Sequence, residues 1–101
     1  MERQLENGYV LKTTFWDDFC VADVFGESAI QDTFNRAFKE WKNNLEYVTE
    51  LAMIMSWQSC YWWRRNDNYS KLYSDLYHKV DDWCLDNLRG DALTYYLKTT
   101  D

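Results

Sequence analysis

Apolar residues recur at helical spacing along most of the chain. In "FWDDFCVADVF", Phe15, Phe19 and Ala22 fall on one stripe, and Val21 and Phe25 widen it. Thr14-Phe-Trp-Asp17 has the form of a helix start and Gly26 that of a stop, which predicts a first helix over about residues 15–25. Ile30, Phe34, Ala37, Phe38 and Trp41 follow the i, i+4, i+7, i+8, i+11 pattern, so a second helix is expected over about 29–42, capped by Ser28 and ended at Asn43-Asn44. A third, capped by Asn44, carries Leu45, Val48, Ala52 and Met55 on its inner stripe and extends to about residue 65. Tyr69, Leu72, Tyr73, Leu76, Tyr77, Val80, Trp83, Cys84 and Leu88 place a fourth over about 68–89, closed by Gly90. "ALTYYLK", capped by Asp91, makes a short fifth over about 92–98.

No segment sustains period-two alternation, but "GYVLKTTF" has enough β-branched and aromatic content to be extended, which makes residues 1–13 a short N-terminal arm. The tetrapeptide Leu-Lys-Thr-Thr occurs at 11–14 and again at 97–100. A match this short is expected by chance, with paired termini as the alternative. The fold class expected is therefore all-α: one helical domain over 1–101, a compact bundle of four main helices, a short C-terminal helix and an extended arm.

The polar face of the third helix almost vanishes past Leu51. At 100° per residue, Tyr61, Trp62 and Trp63 alone span roughly 200° of the wheel, and Trp57 and Cys60 fill much of the rest. A helix that is apolar all round is a buried one, so the third helix is expected at the centre of the bundle. Arg64 and Arg65 then sit in its last turn, where cations complement the negative end of the helix dipole.

Size supports this picture. At 12.3 kDa, folding takes roughly 17,800 Å² of chain surface down to roughly 6,100 Å², room enough to bury much of the 19 aromatic side chains. Cys20, Cys60 and Cys84 are odd in number and widely spaced, and are expected as reduced, buried small hydrophobes. Met1 to Asn7 is polar and lacks an apolar h-region, and "LAMIM" is too short to cross a bilayer, so the expectation is a cytoplasmic protein without a membrane segment.

The net charge of −6 is unevenly laid out: −5 over residues 1–34, +2 over 35–80 and −3 over 81–101. Acidic ends repel phosphate backbones, so a basic protein surface is the more natural complement. The expected contact residues are Asp17, Asp18, Asp23, Asp81, Asp82 and Asp86. The alternative is a single-stranded nucleic-acid platform in which Trp62 and Trp63 stack bases while Arg64 and Arg65 hold phosphates. A third reading is a homodimer that buries surplus aromatic surface.

Catalytic chemistry finds no support. His78 is the sole histidine, so Asp75, His78 and Asp82 on one side of the fourth helix have no second histidine to complete a carboxylate-bridged metal bundle. There is no Gly-x-Ser-x-Gly elbow, and a nucleophilic Cys60 would need exposure and His78 as base. Gly8, Gly26 and Gly90 are isolated, which removes phosphate-cradling loops. No enzyme, cofactor or metal is expected.

"DDFCVADVFG", "AIQDTFNRAFKEWKNNLEYVTEL" and the closing "DNLRGDALTYYLKTTD" resemble a group of small uncharacterised proteins carried by phages and mobile elements of gut bacteria. The resemblance covers most of the chain and consists of packing and capping residues, so it implies no activity. It implies a bacterial host and a context in which small acidic helical proteins bind a host or element protein. Some of these are inhibitors of defence nucleases, anti-CRISPR proteins among them, and act by occupying a basic surface.

Overall fold

In the computed structural model the chain runs through a two-stranded antiparallel hairpin, β1 (Arg3–Gln4) and β2 (Val10–Leu11), and five helices: α1 (Phe15–Phe25), α2 (Glu27–Trp41), α3 (Leu45–Trp62), α4 (Asp67–Asn87) and α5 (Asp91–Thr100). It describes residues 3–5 and 8–100, Arg3 by its backbone alone; residues 1, 2, 6, 7 and 101, which include part of the expected 1–13 arm, lie outside the described residues. The architecture is the all-α bundle of four main helices and a shorter C-terminal one. Its radius of gyration is 12.9 Å, against about 12.7 Å for a globule of this length.

Helix α3 is the axis. Val48 to Met55 are all buried, eight consecutive residues on every side of the helix, and α4, α5, α2 and α1 all pack against it. A helix enclosed on all sides cannot be amphipathic, which is why its sequence reads apolar all round. Glu50 is the one charged residue within this run: fully buried, it accepts the Lys12 backbone N–H at 2.5 Å and the Thr13 hydroxyl. A buried carboxylate is tolerable only with such donors, and these fasten the end of the arm to α3. Leu5 and Leu11 complete the attachment by entering the core.

Aromatic pairs set the other helix contacts. Phe15, Trp41 and Tyr47 cluster where α1 begins, α2 ends and α3 begins. Phe38 meets Trp83 edge-on between α2 and α4, and Phe19 meets Tyr73 between α1 and α4. Where α3 and α4 cross closely, Ser59 and Ser70 exchange hydroxyl-to-carbonyl hydrogen bonds at 3.2 and 2.9 Å.

Several helix ends differ from expectation. Asn44 does cap α3, its Oδ1 accepting the Tyr47 N–H, and Asn66 caps α4 in the same way through Tyr69. Thr14 makes no side-chain cap; the neighbouring Thr13 hydroxyl faces the Phe15 N–H at 3.4 Å instead. Ser28 does not cap α2, which already starts at Glu27. Helix α3 closes at Trp62, three residues early, because the N–H groups of Trp63, Arg65 and Asn66 fold back in a tight turn onto Cys60 and Trp62. Helix α4 ends at Asn87, and the Arg89 guanidinium donates to the Leu85 and Leu88 carbonyls. Gly90, with φ of 60°, belongs to the start of α5: its carbonyl accepts the Thr94 N–H. The two Leu-Lys-Thr-Thr segments are unrelated in structure, one leaving a strand and the other forming the last turn of α5.

Helices α1 and α2 are separated by Gly26 alone, at φ 109° and ψ −175°. This region is essentially restricted to glycine. An added Cβ would meet only the Tyr69 hydroxyl at 3.8 Å, an ordinary contact, so the penalty of a side chain is conformational. Gly26→Ala is expected to destabilise the protein by about 1–3 kcal/mol in urea unfolding; an unchanged midpoint and slope would contradict the geometry of this corner.

Candidate functional site

The third helix was expected to be enclosed along its whole length. Enclosure holds from Val48 to Met55 and for Gln58 and fails at both ends: Glu46 is exposed in the first turn, and so are Cys60 and Tyr61 in the last, with Trp63 (63 %), Arg64 and Arg65 exposed beyond it. Near this C-terminal end α3 is held through Trp62 by Asp23 of α1 and through Ser59 by Ser70 of α4, and Tyr61 and Trp63 on either side of Trp62 are left in solvent. Arg65 lies over the Tyr61 ring at 4.4 Å and donates to the Tyr61 carbonyl at 2.8 Å, and Arg64 lies 5.3 Å from the Trp63 ring centre. Both arginines lie past the helix end, each beside an aromatic ring that remains partly open to solvent. Cys20 is exposed as well, so the expectation of three buried thiols holds for Cys84 alone, whose pKa burial pushes up to about 12.

The flanks of α3 meet at Asp23 on α1. Its carboxylate accepts the Tyr73 hydroxyl on one oxygen and the Trp62 indole N–H at 3.3 Å on the other, and its backbone carbonyl accepts the Tyr69 hydroxyl at 3.1 Å. Three aromatic donors from α3 and α4 thus converge on one residue. Burial pushes the Asp23 carboxyl above its ordinary value of 3.8, and the Tyr73 and Trp62 hydrogen bonds oppose the rise. Burial, and then the Asp23 bond, push the Tyr73 hydroxyl well upward, so Tyr73 stays a proton donor.

Beside Asp23 opens a cavity of about 460 Å³ between α1 and α3. Trp16, Tyr61 and Trp62 supply aromatic surface, and Cys20 and Val24 also border it. Gln58, 2 % exposed, is its most buried member; its amide makes one long contact, 4.0 Å, to the Cys20 sulfur. The volume, and the make-up of apolar walls with few polar groups, fall within the general range of small-ligand cavities. On the other side of α1 a hollow of about 370 Å³ involves Asp18, Val21, Phe25 and Arg36. Between the two, α1 turns Val21, Val24 and Phe25 outward, exposed to 60 %, 82 % and 76 %.

The acidic residues singled out from the sequence fall into two kinds. Asp17 and Asp18, in the first turn of α1, and Asp82 and Asp86, one turn apart on α4, are exposed. Asp23 and Asp81 are half-buried and hold internal hydroxyls, Asp81 that of Tyr96 at 2.7 Å. Trp62 is half-buried and tied to Asp23, whereas Trp63 is open to solvent. The structure therefore separates the members of both expected sets. Gln58, Trp16 and Glu50 were not singled out at all; a polar side chain within an otherwise apolar-all-round helix was the available signal for Glu50 and Gln58. Among the described residues no group of three or more His, Cys, Asp or Glu is placed to hold a metal ion, and no helix is long and apolar enough to cross a membrane. His78 is exposed on α4 and its ring lies beside Tyr77.

The raised Asp23 pKa has a definite sign. Folding favours the protonated form, so this residue's contribution to stability is fully present below pH 3.8 and is lost as pH rises through its raised midpoint. A carbon-detected titration of the carboxyl side chains is expected to place Asp23 above 3.8; a midpoint at or below that value would contradict burial as the dominant influence. No protein-family model, curated protein or solved structure matches this chain.

Proposed function

We propose that this protein is a non-catalytic binding protein that docks on a basic protein surface through the face formed by α1 and the C-terminal end of α3. The observation that carries the reading is the run of exposed apolar residues Val21, Val24 and Phe25 on α1 beside the exposed Tyr61, which lines the same cavity as Val24, with Asp17 and Asp18 at the start of the same α1. Apolar anchors and aromatic rings beside arginine, rimmed by charge, match the composition of binding hot spots. Isolated exposed apolar residues are ordinary on protein surfaces, but a cluster of large ones on one helix is not.

The net charge of −6 favours a basic partner, and charge complementarity acts chiefly on encounter rate and specificity. The resemblance to proteins of phages and mobile elements gives the finer proposal: the partner is a host protein with a nucleic-acid-binding surface, such as a defence nuclease, in the bacterial cytoplasm.

A second reading rests on Trp63. An exposed indole with Arg64 beside it can stack a base and hold a phosphate.

Two variants test the first reading: Val24→Ser with Phe25→Ser, and Asp17, Asp18, Asp82 and Asp86 all changed to Asn. Each is expected to lose a bacterial-lysate partner that the wild type retains at low salt, with the helical circular dichroism unchanged. Equal retention by wild type and both variants would contradict it. Quenching of tryptophan emission by a single-stranded oligonucleotide in the wild type, absent in Trp63→Ala, would put the second reading in its place.

A further inference from the structure

The cavity between α1 and α3 combines features that choose a ligand class. Three of its members are aromatic side chains, Trp16, Tyr61 and Trp62, and a ring face attracts a cation through its quadrupole. A fourth is a carboxylate, Asp23. Two of its roughly four acceptor positions are taken, by Tyr73 and Trp62, so the group can still accept from a ligand. The fifth is Gln58, almost wholly buried, whose Nε2 donates to the Cys20 sulfur at 4.0 Å. That contact is long, and an amide carries two N–H donors and an acceptor oxygen, so Gln58 retains capacity for a ligand group at the cavity. No residue that lines the cavity is itself cationic, and the guanidinium of Arg65 lies over the ring of Tyr61, one of those residues.

We infer that this cavity is a receptor for a guanidinium group, that of an arginine side chain presented by the basic partner. A planar guanidinium stacks on flat rings and presents several N–H donors in a fixed fork, which a carboxylate and an amide oxygen can share. A lysine ammonium is a compact, strongly hydrated charge that gains less from flat aromatic surroundings. The protein already shows the preference at the edge of the cavity, where the Arg65 guanidinium lies on the Tyr61 ring. The volume of about 460 Å³ leaves room for a long side chain together with part of the backbone that bears it. This inference rests on the docking reading, since it names the group by which the partner would be held.

Isolated peptides test it without the partner. The probes are blocked Gly-Arg-Gly, blocked Gly-Lys-Gly and blocked Gly-citrulline-Gly, the last retaining the planar shape without the charge. Nitrogen–proton spectra at neutral pH and low salt report the six indoles and the side-chain amides. The arginine peptide is expected to shift the Trp16 and Trp62 indoles and the Gln58 amide saturably, with the citrulline peptide at least about tenfold weaker. Asp23→Asn is expected to weaken arginine binding by a similar factor. Because Asp23 also holds Tyr73 and Trp62, Tyr61→Ala provides a second variant whose truncation leaves the core intact, and a loss of about two- to fivefold is expected.

Equal binding of the citrulline or lysine peptide, shifts spread over all six indoles, or no effect of Tyr61→Ala would each overturn the assignment. A saturable arginine site in a protein that captures no partner sinks the docking reading and leaves the receptor standing. A captured partner retained equally by Tyr61→Ala sinks the receptor and leaves the docking reading standing.

Discussion

A half-buried carboxylate on α1 holds the end of the bundle where α1, α3 and α4 meet. Asp23 receives the Tyr73 hydroxyl and the Trp62 indole on its side chain and the Tyr69 hydroxyl on its backbone. Hydrogen bonds to a charged acceptor contribute about 1.5–3 kcal/mol each, and leaving a buried partner unsatisfied costs a comparable amount. The arrangement therefore fixes the position of Trp62 at the point where α3 leaves the shelter of its neighbours. It also keeps an anionic group at the side of the adjoining cavity, at a desolvation cost expressed as a raised pKa.

The rest of the molecule supplies a rigid base for that end. The fully enclosed stretch of α3 cannot rotate or slide without exposing eight core residues, and Glu50 fastens the preceding arm to it. What extends past this base is aromatic, partly apolar and flanked by carboxylates and arginines. The docking proposed above would use this surface, whose polar groups are few and already oriented. Asp82 and Asp86 lie on the far half of α4: its residue Tyr73 bonds Asp23, and residue 82 is about 13 Å further along the helix. They belong to a different part of the surface and contribute through the overall field.

The bundle itself was legible in the sequence because helix period is a local property: Ile30 to Trp41 and Tyr69 to Leu88 lie on stripes that only helices bury. The Asn44 cap was legible for the same reason, since its hydrogen bond to Tyr47 spans three residues. The site was only partly legible. Asp23 was noticed as an acid and Trp62 as an aromatic, but their contact joins residues 39 apart, and nothing local distinguishes Asp23 from the exposed Asp17 and Asp18. The exposure of Trp63 stayed open in the sequence because a helical wheel shows which side of a helix is apolar and not which of its residues a neighbour covers. The glycine corner was placed correctly as a stop at Gly26, while its role as the start of α2 depends on a backbone conformation that composition does not reveal.

A double-mutant cycle between Asp23 and Tyr73, using Asp23→Asn, Tyr73→Phe and the double variant in urea unfolding, tests the claim that this carboxylate organises the end of the bundle where α1, α3 and α4 meet. The account predicts a coupling energy of about 1 kcal/mol or more. Strict additivity of the two single changes would mean that the two side chains do not act together, and would contradict it.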